Sequence, residues 1–176
     1  MKSQSMESHR KNVPSEIKCG VITLSDSKFE DYQKNENSST DLSGQLLVKK
    51  LETKYNLVDY SIISDDSKML LDTIEDMIQT KNVDVIITTG GTGIGSRDIT
   101  VETLTAIFEK ELNGFGEIFR AESYKELGAG AILSRATAGI YKNSIIIAMP
   151  GSPNAVKLGI NIIFNELGHL ARHLKE

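Results

Sequence analysis

With 176 residues, 39% of them hydrophobic, the chain is long enough for one domain with a buried core and short for two. A formal charge of -4 at pH 7 and the lack of tryptophan argue against a general nucleic-acid binder, which needs a basic face or stacking aromatics. The single cysteine, Cys19, excludes an intrachain disulfide or a thiolate zinc cluster; with no apolar run long enough to span a bilayer, the expectation is a cytoplasmic protein without membrane contact.

Residues 1–16 are polar and aperiodic and read as a flexible tail, leaving 17–176 as a single domain. Residues 18–25, KCGVITLS, form a predicted buried strand. Residues 42–54 form a predicted helix with Leu42, Leu46, Leu47 and Leu51 near one face. The polar stretch between them, 26–40, is longer than a compact domain leaves without purpose and reads as a connection able to act as a lid. Residues 57–64 are a second strand, 67–81 a second helix that Asp66 or Ser67 can cap, and 83–89, VDVIITT, a third strand. The apolar run 85–87 needs helices on both faces, and the crossovers make these strands parallel.

Beyond a glycine-rich turn, Thr100 can cap a helix to about Lys110, and 116–127 make another with Ile118, Phe119 and Leu127 as its buried side. Residues 136–141 and 144–150 are short strands joined at Lys142-Asn143, a hairpin that places one antiparallel strand in the sheet. Ser152 and Pro153 then start one long closing helix carrying Val156, Ile160, Ile163, Leu167, Leu170 and Leu174, with His169 and His173 as its cationic end. The fold class is α/β, a three-layer α/β/α sandwich with a mostly parallel mixed sheet.

The chemistry concentrates where strands end. Thr88-Thr89-Gly90-Gly91-Thr92-Gly93-Ile94-Gly95 follows a buried parallel strand, the place where open α/β sheets bind ligands, and its backbone N–H groups suit an anion. The same glycines also suit an ordinary tight turn with positive φ. No Gly-Lys-Ser/Thr follows, so this is no P-loop, and GxGxxG is missed by one residue. Asp98, just after it, is a candidate metal ligand, with Mg2+ between its carboxylate and a phosphate, or a helix acid stabilised by the dipole. Asp65-Asp66 ends the second strand, read as a neighbour of the third, so Asp65 and Asp98 can converge on one edge. Ser25-Asp26-Ser27, Asp41, Ser43 and Pro150-Gly151-Ser152-Pro153 close the same edge, although solvation or capping also accounts for each. Gly114-Phe115-Gly116 reads as a turn between helices, and Ser134-Arg135 as a cap followed by a surface cation.

In order, TLSDS, DLSGQLL, TTGGTGIGSRD, GFGEIFR, ILSRATAG and AMPGSPNAV resemble the molybdenum cofactor biosynthesis family MoaB/MogA, the molybdopterin adenylyltransferases, from about Lys18 to the C-terminus. The GFGE, SRA and PGS blocks and the ELGH ending are similar to the MoaB branch. The resemblance implies a molybdopterin-binding-like fold and transfer of the adenylyl group of ATP to molybdopterin with Mg2+, releasing pyrophosphate. It places Asp65 and Asp98 in the catalytic, metal-holding role. Thr89, Gly90, Gly91, Thr92 and Gly93 fall in the phosphate cradle, and Ser25, Asp26, Ser43, Ser134, Pro150, Gly151 and Ser152 line the substrate pocket. It further implies a trimer or hexamer and a downstream metal-insertion enzyme as partner. Some MoaB-branch members lack the acid equivalent to Asp65 and have no clear activity, so a non-catalytic molybdopterin-binding or carrier protein is the alternative; this chain keeps the acid.

Overall fold

The computed structural model describes residues 17–35 and 40–176, so the expected tail lies outside the described residues. Four parallel strands form the body of one sheet: β1 (Lys18–Leu24), β2 (Asn56–Ile63), β3 (Val85–Thr89) and β6 (Ser144–Met149). Two more, β4 (Lys110–Glu111) and β5 (Thr137–Tyr141), extend it antiparallel at one edge, giving the order β2-β1-β3-β6-β5-β4. The sheet is mixed, as expected, but β1 and not β2 borders β3. Every residue of β3 and β6 is buried, which their unbroken apolar runs require in a sheet covered on both faces.

Side chains alternate between two cores along these strands. Cys19, Val21, Val85, Ile87, Ile145 and Ile147 face α2 (Leu42–Glu52), α5 (Asn113–Leu127), α6 (Pro153–Ile163) and α7 (Leu167–His173). Ile22, Leu24, Ile86, Ile146 and Ala148 face α3 (Ser67–Gln79) and α4 (Thr100–Ile107). The period of two is the strand geometry itself, and it makes the three layers. Burial pushes the Cys19 thiol up to about 12, so this cysteine acts as a small core residue.

Several elements depart from the expectation. Residues 26–40 are not an irregular connection: α1 runs over Asp26–Asn35, and residues 36–39 lie outside the described ones. The Ser25 carbonyl accepts the Phe29 N–H at 2.9 Å, starting the helix, and Asp26 at its N-terminus and Lys34 in its last turn complement its dipole. Asp66, not Ser67, caps α3, its carboxylate accepting the Met69 N–H at 2.7 Å. Helix α4 ends at Ile107, because Lys110 and Glu111 pair with β5. In α2, Leu47 and Leu51 are buried, whereas Leu42, its first residue, is 65% exposed. Helix α5 begins at Asn113, and the spacing Phe115, Phe119, Ser123 turns one face inward, leaving Ile118 and Leu127 exposed. A 3-10 turn, Gly128–Leu133, follows it.

The Lys142-Asn143 hairpin forms as expected, with φ values of 46° and 61° that match a two-residue turn of the primed type. Ser152 caps α6 through the Ala155 N–H at 3.2 Å, with Pro153 at its start. The expected single closing helix is two, α6 and α7. At the break, the Phe164 carbonyl accepts the Tyr55 hydroxyl at 2.6 Å, and the two rings pack edge to face with centroids 5.3 Å apart. Both residues are buried, so Tyr55→Phe leaves that carbonyl unsatisfied at nearly unchanged volume. It should cost about 1–3 kcal/mol, read as a lower urea midpoint at constant m.

Candidate functional site

The turn after β3 is held by its carbonyls. Gly90 has φ of 99°, and a Cβ there would lie 2.1 Å from the Leu24 carbonyl oxygen, so only glycine fits against β1. Thr100 donates twice into the turn, from Oγ1 to the Gly90 carbonyl and from N–H to the Gly91 carbonyl, both at 2.9 Å. Thr100 is therefore not the expected helix cap. Arg135 Nη1 donates to the Gly93 carbonyl at 2.8 Å, while Nη2 pairs with Glu102. A planar trans peptide with its carbonyl fixed on one side sends the next N–H to the other. The amides of Gly91, Thr92 and Ile94 are fixed in this way, and among the described residues they have no acceptor. Such a row of oriented donors suits an anion.

Three carboxylates gather beside the turn. Asp98 Oδ2 accepts the Gly95 N–H at 2.8 Å, and a Cβ on Gly93 would lie 2.5 Å from the same oxygen. Asp65 arrives from the end of β2, across β1. Its Oδ2 accepts the Asp26 N–H at 3.0 Å, and its own N–H returns to Asp26 Oδ1 at 3.1 Å. Asp65 Oδ1 is buried without a hydrogen-bond partner among the described residues, and a Cβ on Gly91 would sit 2.9 Å from it. Burial raises the Asp65 pKa, and the charges of Asp26 and Asp98 push the same way.

Asp26 has the opposite environment. Arg97 grips it with two bonds, Nε to Oδ2 at 3.0 Å and Nη2 to Oδ1 at 2.8 Å, and Ser64 Oγ adds a third at 2.7 Å. The guanidinium, then Ser64 and the Asp65 N–H, hold its carboxyl far below the usual carboxylate range. Among the described residues no group of three or more His, Cys, Asp or Glu could hold a metal. Two carboxylates completed by phosphate oxygens are the arrangement Mg2+ accepts, and the partnerless Asp65 Oδ1 fits that role.

Two cavities flank the 150–153 turn. One, of about 280 Å3, is lined by Ser25, Lys28, Asp41, Ser43, Thr89, Gly90 and Gly151. The other, of about 290 Å3, is lined by Ser134, Pro150 and Ser152 with Phe119, Leu133 and Leu158. The expected pocket residues thus divide between two spaces. Ser43 Oγ donates to the Gly151 carbonyl at 2.7 Å and Thr89 Oγ1 to the Pro150 carbonyl at 3.1 Å, tying β3 and α2 to the turn between them. Asp41 caps α2 through the Gly44 N–H at 2.9 Å and also accepts the Tyr60 hydroxyl. Asp26 lines neither cavity.

Sequence reasoning missed Arg97, Arg135, Thr100 and Tyr60. Arg97 reaches Asp26 across 71 positions and Arg135 reaches Gly93 across 42, and no periodicity encodes such pairs. Arg135 is no free surface cation. His173 lies in the basic last turn of α7, as expected, and His169 and His173 face Glu166 and Glu176 at 3.4 and 3.3 Å.

Residues 20–169 match the family model described as a probable molybdopterin binding domain. The chain is 48% identical over 160 residues to a probable molybdopterin adenylyltransferase of Methanocaldococcus jannaschii, covering 91% of this chain and 95% of that protein. It is 42% identical over 175 residues to a molybdopterin adenylyltransferase of Pyrococcus furiosus, covering 97% and 99%. Among solved structures, the tungsten cofactor synthesizing protein MoaB from Pyrococcus furiosus superposes with a TM-score of 0.82 at 42% identity, over 93% of this chain and 99% of that one. With the family's domain spanning most of its length and such identities over nearly whole proteins, the chain belongs to the molybdenum cofactor biosynthesis family built on this molybdopterin-binding domain.

Proposed function

We propose that this chain transfers the adenylyl group of ATP to molybdopterin and releases pyrophosphate. Its adenylyltransferase relatives supply the reaction class. The observation that carries the reading is the meeting, at Gly91, of a buried partnerless carboxylate oxygen with a row of fixed amides. A molybdopterin phosphate oxygen attacks the α-phosphorus of ATP. The bond from that phosphorus to the oxygen bridging to the β-phosphate breaks, and its electron pair leaves with pyrophosphate. The attacking phosphate is already ionised near neutral pH, so no side chain has to remove a proton.

The chain's own residues then position and stabilise. The amides of Gly91 and Thr92 are set before substrate arrives, so they stabilise negative charge on the phosphoryl oxygens without reorganising. Bound Mg2+ would neutralise phosphate charge, and Asp65 and Asp98 are the residues that would hold it. The two cavities beside the 150–153 turn offer separate spaces for the two substrates.

Asp65→Asn and Asp98→Asn should each lower pyrophosphate release from molybdopterin and Mg-ATP by about 100-fold or more, and EDTA should abolish it. Release unaffected by both substitutions would refute the assignment and return the protein to a carrier role.

The raised Asp65 pKa adds a stability signature. A carboxyl whose pKa is higher folded than unfolded weakens the fold once pH rises past its unfolded value near 3.9. In metal-free protein at pH 7, Asp65→Asn should therefore raise the melting midpoint, and the gain should vanish as pH falls below about 3.9. Differential scanning calorimetry across that pH range reads both outcomes.

Self-association in the cytoplasm belongs to the same proposal. Ile118, Leu127, Ile132 and Leu133 are 50%, 61%, 79% and 55% exposed, an apolar surface that a trimer or hexamer would cover. Light scattering should return a mass that is a multiple of three chains; a monomer would exclude this part.

A further inference from the structure

We infer that Asp26 and Arg97 form a positioning pair that decides which oxygen of Asp65 is left for the metal. The inference rests on the proposed function, in which Asp65 holds Mg2+. Asp26 is already engaged elsewhere. Its Oδ1 accepts Ser64 Oγ at 2.7 Å, the Asp65 N–H at 3.1 Å and Arg97 Nη2 at 2.8 Å, and its Oδ2 accepts Arg97 Nε at 3.0 Å. Four donors hold the carboxylate in one orientation.

This grip is directional. With its carboxylate fixed, Asp26 presents its backbone N–H to Asp65 Oδ2 at 3.0 Å, while Asp26 Oδ1 holds the Asp65 N–H in return. This two-way contact joins the start of α1 to the end of β2 across 39 positions. One Asp65 oxygen is thereby occupied, and the other, Oδ1, is turned against Gly91 with no partner among the described residues. Arg97 sits next to Asp98, so its grip on Asp26 also ties the segment bearing one proposed ligand to the segment orienting the other. The planar guanidinium makes two parallel bonds, which a lysine at the same position could not reproduce. Both side chains are well exposed, 63% for Arg97 and 43% for Asp26, so the pair adds little to folding and its arrangement serves the neighbouring acids.

The test is the affinity of full-length protein for Mn2+, read by electron paramagnetic resonance with a non-cleavable α,β-methylene ATP analogue, beside the Mg2+ dependence of pyrophosphate release. Asp26→Asn and Arg97→Ala should each weaken Mn2+ about tenfold, as loss of a ligand-orienting partner does, with metal-free analogue binding and melting midpoint essentially unchanged. Arg97→Lys should recover only part of the loss. The rate in Arg97→Ala should climb back towards the parent value as Mg2+ is raised, a concentration effect that a merely structural role would not produce. Wild-type Mn2+ affinity in Asp26→Asn and Arg97→Ala, with Asp65→Asn impaired, would overturn the positioning role and leave the proposed function standing. Wild-type affinity in Asp65→Asn as well would remove the metal assignment on which both rest. Should Arg97→Ala melt early, Arg97→Gln carries the same reading.

Discussion

The turn after β3 presents its donors because its acceptors are already taken. Thr100 and Arg135 bind the carbonyls of Gly90, Gly91 and Gly93, and peptide planarity does the rest. An anion-binding loop that had to organise itself around its ligand would lose part of the binding energy to that ordering; here Thr100 at the start of α4 and Arg135 in the segment between the 3-10 turn and β5 do the ordering during folding. The absence of a side chain at Gly90 is equally part of the device, since β1 passes within van der Waals distance of that backbone.

A cradle for phosphate with acids around it is an electrostatic contradiction unless a cation stands between them. The fold treats its carboxylates unequally. Asp26 is satisfied by an arginine and lies deep in its ionised form, whereas Asp65 keeps one buried oxygen with no partner among the described residues. The first arrangement is what a structural acid looks like, and the second leaves an acceptor that the proposed Mg2+ would occupy. Two acids joined by mutual backbone bonds therefore differ in environment: Arg97 and Ser64 hold Asp26, while burial leaves Asp65 without a cation bonded to it.

Much of this was legible in the residues. The apolar runs at 85–87 and 145–147 specified buried strands, the Lys142-Asn143 pair specified the hairpin, and Ser152-Pro153 marked a helix start, because each signal is local and has a single physical cause. The glycine turn and its two acids were located by the same logic, from their places at strand ends. What escaped was set by tertiary contact. Residues 26–35 are helical although their polar composition reads as loop. The closing helix breaks where Tyr55, more than a hundred positions away, takes the Phe164 carbonyl. The neighbour of β3 was misjudged because chain order says nothing of a strand inserted between sequential ones. The bond of Arg135 to the Gly93 carbonyl is not legible either, because it spans 42 positions and carbonyls leave no mark in a sequence.

The inserted strand has a consequence for the site. With β1 between β2 and β3, Asp65 must reach across the end of β1 to meet the glycine turn, and the residues ending β1 lie beneath that reach. Asp26 is the second residue past β1, so it stands where a brace for Asp65 is needed, between the strand that supplies the acid and the strand that supplies the cradle. The Asp26–Arg97 pair is thus a product of the strand order: the topology that separates acid from cradle also delivers the residue that bridges them.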